Sequence, residues 1–135
     1  MLEDLYQELI LDHNQHPHHY GELPGYTHTA HGHNPLCGDE FDVYLILENN
    51  RIKDIRFTGQ GCAISKASAS MMTDELIGKS LEEAHEIFEN FHELLTQEGA
   101  LGEKLQKAQV LAGVREFPIR VKCATLAWHT FNEAK

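Results

Sequence analysis

The stretch "DEFDVYLILENNRIKDIRFTGQG", residues 39–61, limits the possible folds more than any other part of the chain. Its first half, "FDVYLILEN", is rich in β-branched and aromatic residues. Its second half, "RIKDIRFTG", alternates, with Ile52, Ile55 and Phe57 as the apolar members. Between them "ENNR" is a hairpin-turn signal. The segment therefore goes out and returns as two antiparallel strands, and "YTHTAHGHNP" before it supplies a third, short one. The alternation is imperfect, which leaves the register open.

After "GQGC" the periodicity changes. "AISKASASMMTDELIG" carries helical apolar spacing (Ile64, Ala67, Met71, Met72, Leu76), with Gly78 as its stop. "KSLEEAHEIFENFHELLTQEG" opens with Ser80 and has Glu83 three residues on, a capping box ahead of a strongly apolar-periodic run. "LGEKLQKAQVLAGV" reads as a shorter helical piece ended by Gly113. "EFPIRVKC" reads as extended around Pro118, and "ATLAWHTFNEAK" as a final helix. At the other end, Leu2, Leu5, Tyr6, Leu9 and Ile10 mark an amphipathic first helix, followed by a loop rich in Pro and Gly. Helix, strands and then helices make an α+β layout, a small antiparallel sheet of about three strands packed by helices. At 135 residues the chain suits a single domain, 1–135.

Charge narrows the partners. A net charge of -10 opposes nonspecific nucleic-acid binding and an anionic membrane surface, and suits basic proteins or metal cations. No apolar run approaches the roughly 18 residues of a membrane span. The acidic start "MLEDLYQELILDH" lacks the positive region of a signal peptide, so a cytoplasmic protein is expected. There its 3 cysteines stay reduced.

Those cysteines, in "NPLCGDEF", "TGQGCAIS" and "RVKCATLAW", each fall at an element boundary. Cys37 comes just before a strand, Cys62 between a strand and a helix, and Cys123 just before the last helix. The out-and-back hairpin brings Cys37 and Cys62 to the same end. Gly38, Gly59 and Gly61 flank them and permit close backbone approach. Helix starts at Cys62 and Cys123, and Lys122 beside the latter, favour thiolates. Asp39 stands two residues after Cys37, so in an extended segment both side chains share a face. Inert burial is the ordinary fate of a free cysteine, and a turn the ordinary use of such an aspartate. Three thiolates and one carboxylate instead make a tetrahedral set suited to zinc or an iron–sulfur cluster, the carboxylate being the hard, weak member.

Other chemistries fare less well. No H-E-x-x-H or zinc-deaminase signature occurs, and His85 and His92 sit on an ordinary amphipathic helix. Seven histidines crowd residues 13–33 and would bind metal adventitiously, but solvated loop histidines are the plainer reading.

The motifs "LYQELILDHNQHP", "NPLCGD", "FTGQGCAISKASASMM" and "RVKCATLAW" resemble the IscU/SufU/NifU-N-terminal family of iron–sulfur cluster assembly proteins, over essentially the whole chain. The long run between Cys62 and Cys123 is similar to the SufU branch. Lys122 stands where IscU-type members commonly have histidine, and "EFPIRVK" replaces their chaperone-recognition stretch. The resemblance implies a site of Cys37, Asp39, Cys62 and Cys123, holding zinc in SufU-like members or building a [2Fe–2S] cluster in IscU-like ones. It implies sulfur delivery by a pyridoxal-phosphate (PLP) cysteine desulfurase of the SufS/IscS type, with Cys37 or Cys123 as acceptor. Apo-proteins or cluster carriers would stand downstream. The resemblance leaves open a scaffold or a zinc-dependent sulfurtransferase, and an adaptor with a purely structural zinc is the alternative.

Overall fold

A computed structural model of the chain describes residues 2–35, 38–97, 104–105 and 107–135, without the side chains of 2–6, 107, 109, 110, 115 and 116. Helix α1 (Leu2–Gln15) leads through a loop to β1 (His28–Asn34), β2 (Asp39–Glu48) and β3 (Arg51–Gln60). The strands form an antiparallel sheet in the order β1-β2-β3. Helices α2 (Ala63–Leu76) and α3 (Leu81–Thr96), a 3-10 segment (Lys107–Glu116) and α4 (Pro118–Ala134) follow. The expected α+β architecture is present. Among the described residues no helix is long and apolar enough to cross a membrane.

Local chemistry explains the elements. Asn49 and Asn50 turn the β2–β3 hairpin with φ of 54° and 62°. Both lie in the left-handed region that a two-residue hairpin of this twist demands, and that asparagine tolerates. The imperfect alternation noted in the sequence is a bulge. Ile46 pairs with Asp54 but Leu47 pairs with Ile52, so β3 carries one extra residue, Lys53. The slip lets Ile52, Ile55 and Phe57 all reach the buried face beside Phe41, Val43 and Leu45. Helix α3 begins with the expected reciprocal cap, Ser80 Oγ accepting from Glu83 N–H and Glu83 accepting from Ser80 N–H.

Helix α4 packs on β1, β2 and α2. Gly32 makes that crossing possible, because any side chain there would collide with Thr130 and Leu126. The Trp128 indole stacks on Phe91 with ring centroids 4.1 Å apart. Burying each such aromatic contributes about 1.5–3 kcal/mol. A polar tie fixes the rotation of α4. Trp128 Nε1–H donates to Ser68 Oγ at 3.1 Å, and the Ser68 hydroxyl donates onward to the carbonyl of Ala124.

Four readings of the sequence need correction. The last helix starts at Pro118, not after Cys123. Proline belongs at a first helical turn, since its fixed φ suits the helix and its missing N–H would be unpaired there anyway. Cys123 therefore lies inside α4 and receives no helix-start position. The piece before it is 3-10 rather than α-helical and runs past Gly113 to Glu116. Gly38 has φ of 73° in a turn whose N–H returns to the Asn34 carbonyl, so the backbone between Cys37 and Asp39 is not extended. Finally, the histidines are not one solvated loop. His13 ends α1 at 1% exposure, and His28, His31 and His33 lie on β1.

The Ser68 tie generates a test. Ser68→Ala leaves the buried indole N–H without its acceptor and should destabilise the protein by about 1–3 kcal/mol. A urea midpoint equal to that of the unsubstituted protein would refute the tie.

Candidate metal centre

Asp39 opens β2 on the same face as Phe41, Val43 and Leu45, so its carboxylate is 1% exposed at the end of an apolar column. A buried carboxylate needs strong partners. One is the first turn of α2. Because Glu40 pairs with Gln60, the chain leaving β3 passes directly beside Asp39. The Cys62 N–H donates to Asp39 Oδ1 at 2.9 Å, and the Cys62 sulfur lies 3.9 Å from Oδ2.

The glycines of "TGQGC" have separate jobs. Gly59 has φ of 133°, and a side chain there would strike the backbone of Glu40 and Phe41. At Gly61 a Cβ would sit 2.8 Å from Asp39 Oδ1. One glycine lets two strands meet; the other makes room for the carboxylate.

Cys62 is the N-cap of α2. Its extended backbone (φ -67°, ψ 168°) turns Sγ back to accept the Ser65 N–H at 3.4 Å. A thiolate in that position receives a backbone donor and the positive end of the helix. The Ser65 hydroxyl, on a residue 1% exposed, has no partner among the described residues.

Cys123 comes from the opposite side. Its place in the second turn of α4, held by the Ser68 tie at the next residue, points it at the same spot. The ligand atoms of Asp39, Cys62 and Cys123 all lie within 4.8 Å of one another. Cys62 is exposed and Cys123 is buried at 4% exposure. Three of the four residues expected at the site are thus brought together. Cys37 lies outside the described residues. Two thiols and a carboxylate converging, next to an unanswered buried hydroxyl, are a donor set that fits a thiophilic cation or cluster.

Beside Cys123 a shallow recess of about 220 Å³ is lined by His33, Asn34, Lys122, Thr125 and His129 among others. Burial, with a smaller push from His92, lowers the His129 pKa, and Glu133 opposes this. On the solvated face of the sheet, His31 behaves oppositely. Its Nδ1 is 2.8 Å from Asp42 Oδ1 and its Nε2 is 3.6 Å from Glu40 Oε1. The Asp42 hydrogen bond is the main cause that raises its pKa.

The sequence reading missed Ser65 and Ser68. Their signal was present in "SKASAS", where serines fall on the apolar-spaced face of a helix and so had to be buried.

The family model described as NifU-like N terminal domain matches residues 5–125. The iron-sulfur cluster assembly scaffold protein IscU of Streptococcus pyogenes is 45% identical over 134 residues, 98% of this chain and 84% of that protein. The zinc-dependent sulfurtransferase SufU of Bacillus subtilis is 38% identical, over 98% of this chain and 90% of that protein. Among solved structures, a putative iron-sulfur cluster assembly scaffold protein for the SUF system from Fervidobacterium islandicum superposes with TM-score 0.90 at 32% identity. It covers 98% of this chain and 97% of that one.

Two measurements test this geometry. Gly61→Ala should push the buried Asp39 carboxylate off the Cys62 N–H and lower the urea midpoint of unfolding; an unchanged midpoint would show that the crowding is harmless. In a histidine NMR titration, His129 should titrate below the ordinary imidazole value of about 6.5 and His31 above it. The His129 contribution to stability is present above about pH 6.5 and is lost as pH falls through its folded pKa. The His31 contribution is present below about pH 6.5 and is lost as pH rises through its folded pKa.

Proposed function

The chain belongs to the NifU-like N-terminal domain family, and on that premise we propose that it is an iron–sulfur cluster assembly protein. In this reading one domain, 1–135, accepts sulfur from a PLP-dependent cysteine desulfurase at a site of Cys37, Asp39, Cys62 and Cys123. It serves as a sulfur relay, a [2Fe–2S] scaffold or both, and passes its product to apo-proteins or carriers. The observation that carries the reading is the convergence of Asp39, Cys62 and Cys123 from three different elements. The proposal places the protein in the cytoplasm, where these thiols stay reduced.

In the relay form the three cysteines and Asp39 would hold zinc, which would supply thiolate character at neutral pH. The chain's own groups do the rest. The sulfur transfer is an exchange between two thiols. A cysteine thiolate attacks the terminal sulfur of the desulfurase persulfide, the donor's S–S bond breaks, and the donor leaves as a thiolate. No outside oxidant or reductant is needed. The likeness to the SufU branch favours Cys37 as the first acceptor, and Cys123, at 4% exposure, is the other candidate. Asp39 holds the helix start through the Cys62 N–H and would be the weakest donor to a thiophilic ion, so its departure would be the easiest. When a [2Fe–2S] cluster is the product, the same lability releases it.

Protein purified without oxygen should be analysed for metal and sulfide, then incubated with a desulfurase and cysteine. Zinc with stimulated desulfurase turnover supports the relay; acid-labile sulfide with visible absorbance supports the scaffold. No persulfide and thiols that resist alkylation would instead identify an adaptor with a structural zinc. Asp39→Ala should lose metal or cluster more slowly to a chelator, with Asp39→Asn as the variant that keeps an acceptor for the Cys62 N–H. Equal or faster loss would refute Asp39's part. Removing the metal should lower the melting temperature, since structural zinc contributes roughly 10–16 kcal/mol in small peptides. An unchanged melting temperature would count against a closed site.

A further inference from the structure

The other end of α2 carries a second constellation. His13, in the last turn of α1, His18, in the following loop, and Asp74, in the last turn of α2, bring their ligand atoms within 4.8 Å of one another. His18 Nδ1 is 2.6 Å from Asp74 Oδ2, and the His13 and His18 rings lie 4.4 Å apart. His19 joins from the side, its Nδ1 3.6 Å from Asp74 Oδ1.

Their hydrogen bonds aim these groups. Ser70 Oγ contacts His13 Nδ1 at 2.7 Å and accepts the backbone N–H of His18 at 2.7 Å. Thr73 Oγ1 contacts His19 Nδ1 at 2.9 Å. For His13 the Ser70 hydroxyl on Nδ1 fixes the ring from behind, as an outer-shell partner does for a metal-binding histidine, and leaves Nε2 for an ion. Burial is graded in the useful direction. His13 is enclosed, whereas the side chains of His18 and Asp74 are 39% and 31% exposed and offer an ion an entrance.

We propose that His13, His18 and Asp74 form a second metal site, for a borderline divalent cation such as Zn2+, Co2+ or Fe2+. Two imidazoles and one carboxylate suit those ions; Mg2+ and Ca2+ want an all-oxygen shell. The ion takes the place of the direct contact between His18 Nδ1 and Asp74 Oδ2, and it binds the end of α1 and its loop to the end of α2. The site is distinct from the cysteine cluster. Asp74 is twelve residues beyond Cys62 on the same helix, which at 1.5 Å per residue separates the two by about 18 Å. The inference does not rest on the proposed sulfur chemistry.

Cobalt(II) distinguishes the two sites, because thiolate ligands give it intense charge-transfer absorption and imidazole–carboxylate ligands give only weak d–d bands. Co2+ is titrated into the full chain without oxygen, with bound metal counted by equilibrium dialysis. The expected result is one equivalent that adds d–d absorption with no added charge transfer. His18→Ala and Asp74→Asn should weaken that equivalent by about 10–100-fold or more, while His16→Ala and His31→Ala leave it unchanged. In the unsubstituted protein Zn2+ should shift the imidazole signals of His13 and His18 but not His31, a readout that needs no variant to fold. Failure to find an equivalent lacking charge transfer overturns the proposal, as does its survival in both His18→Ala and Asp74→Asn or its equal loss in His31→Ala. Loss of the thiolate equivalents alone would instead count against the cysteine site.

Discussion

A buried carboxylate at the end of an apolar strand is the constraint around which the rest is arranged. Asp39 shares the inward face of β2 with Phe41, Val43 and Leu45, where an unanswered charge would be costly. The Cys62 N–H answers it at 2.9 Å, and that bond joins the start of β2 to the start of α2. Gly61 must be glycine for the carboxylate to fit, and Gly59 must be glycine for the strands to approach. Cys62 is thereby delivered as a helix cap, with its sulfur facing both the carboxylate and the first-turn amides.

The second thiol arrives by an independent route. α4 crosses the sheet over Gly32 and is held at one rotation by the chain from Trp128 through Ser68 to the Ala124 carbonyl. Ala124 is the next residue after Cys123, so the tie that anchors the helix also aims the thiol. Ser68 belongs to α2, the helix that Cys62 caps. Two sulfurs distant in sequence are therefore referenced to the same rigid element.

α2 also works at its other end. Ser70, Thr73 and Asp74 collect His13, His18 and His19 from α1 and its loop. Its buried serines and threonine look like poor helix material, yet each answers a polar partner from elsewhere, apart from Ser65, whose hydroxyl has none among the described residues. A single helix thus organises one sulfur-rich and one imidazole-rich group.

Whatever depended on near neighbours was legible from the residues alone. The Asn-Asn hairpin, the Ser80–Glu83 cap, the helical spacing of α2 and α3 and the glycine-flanked approach to Cys62 are all set by backbone preferences within a few residues. Even the broken alternation of "RIKDIRF" was visible, though its meaning as a bulge needed the partner strand. Two features belonged to the tertiary structure, Cys123 inside a helix rather than before it and the burial of His13, while the grouping of Asp39, Cys62 and Cys123 was expected from the motifs and only its geometry came from the fold. Pro118 suits an extended segment and a helix start alike, and only packing against the sheet chooses between them. His13 is buried because Ser70, far along the chain, offers a hydroxyl in place of water. Such choices are made by contacts between distant segments, whose energies no local pattern contains.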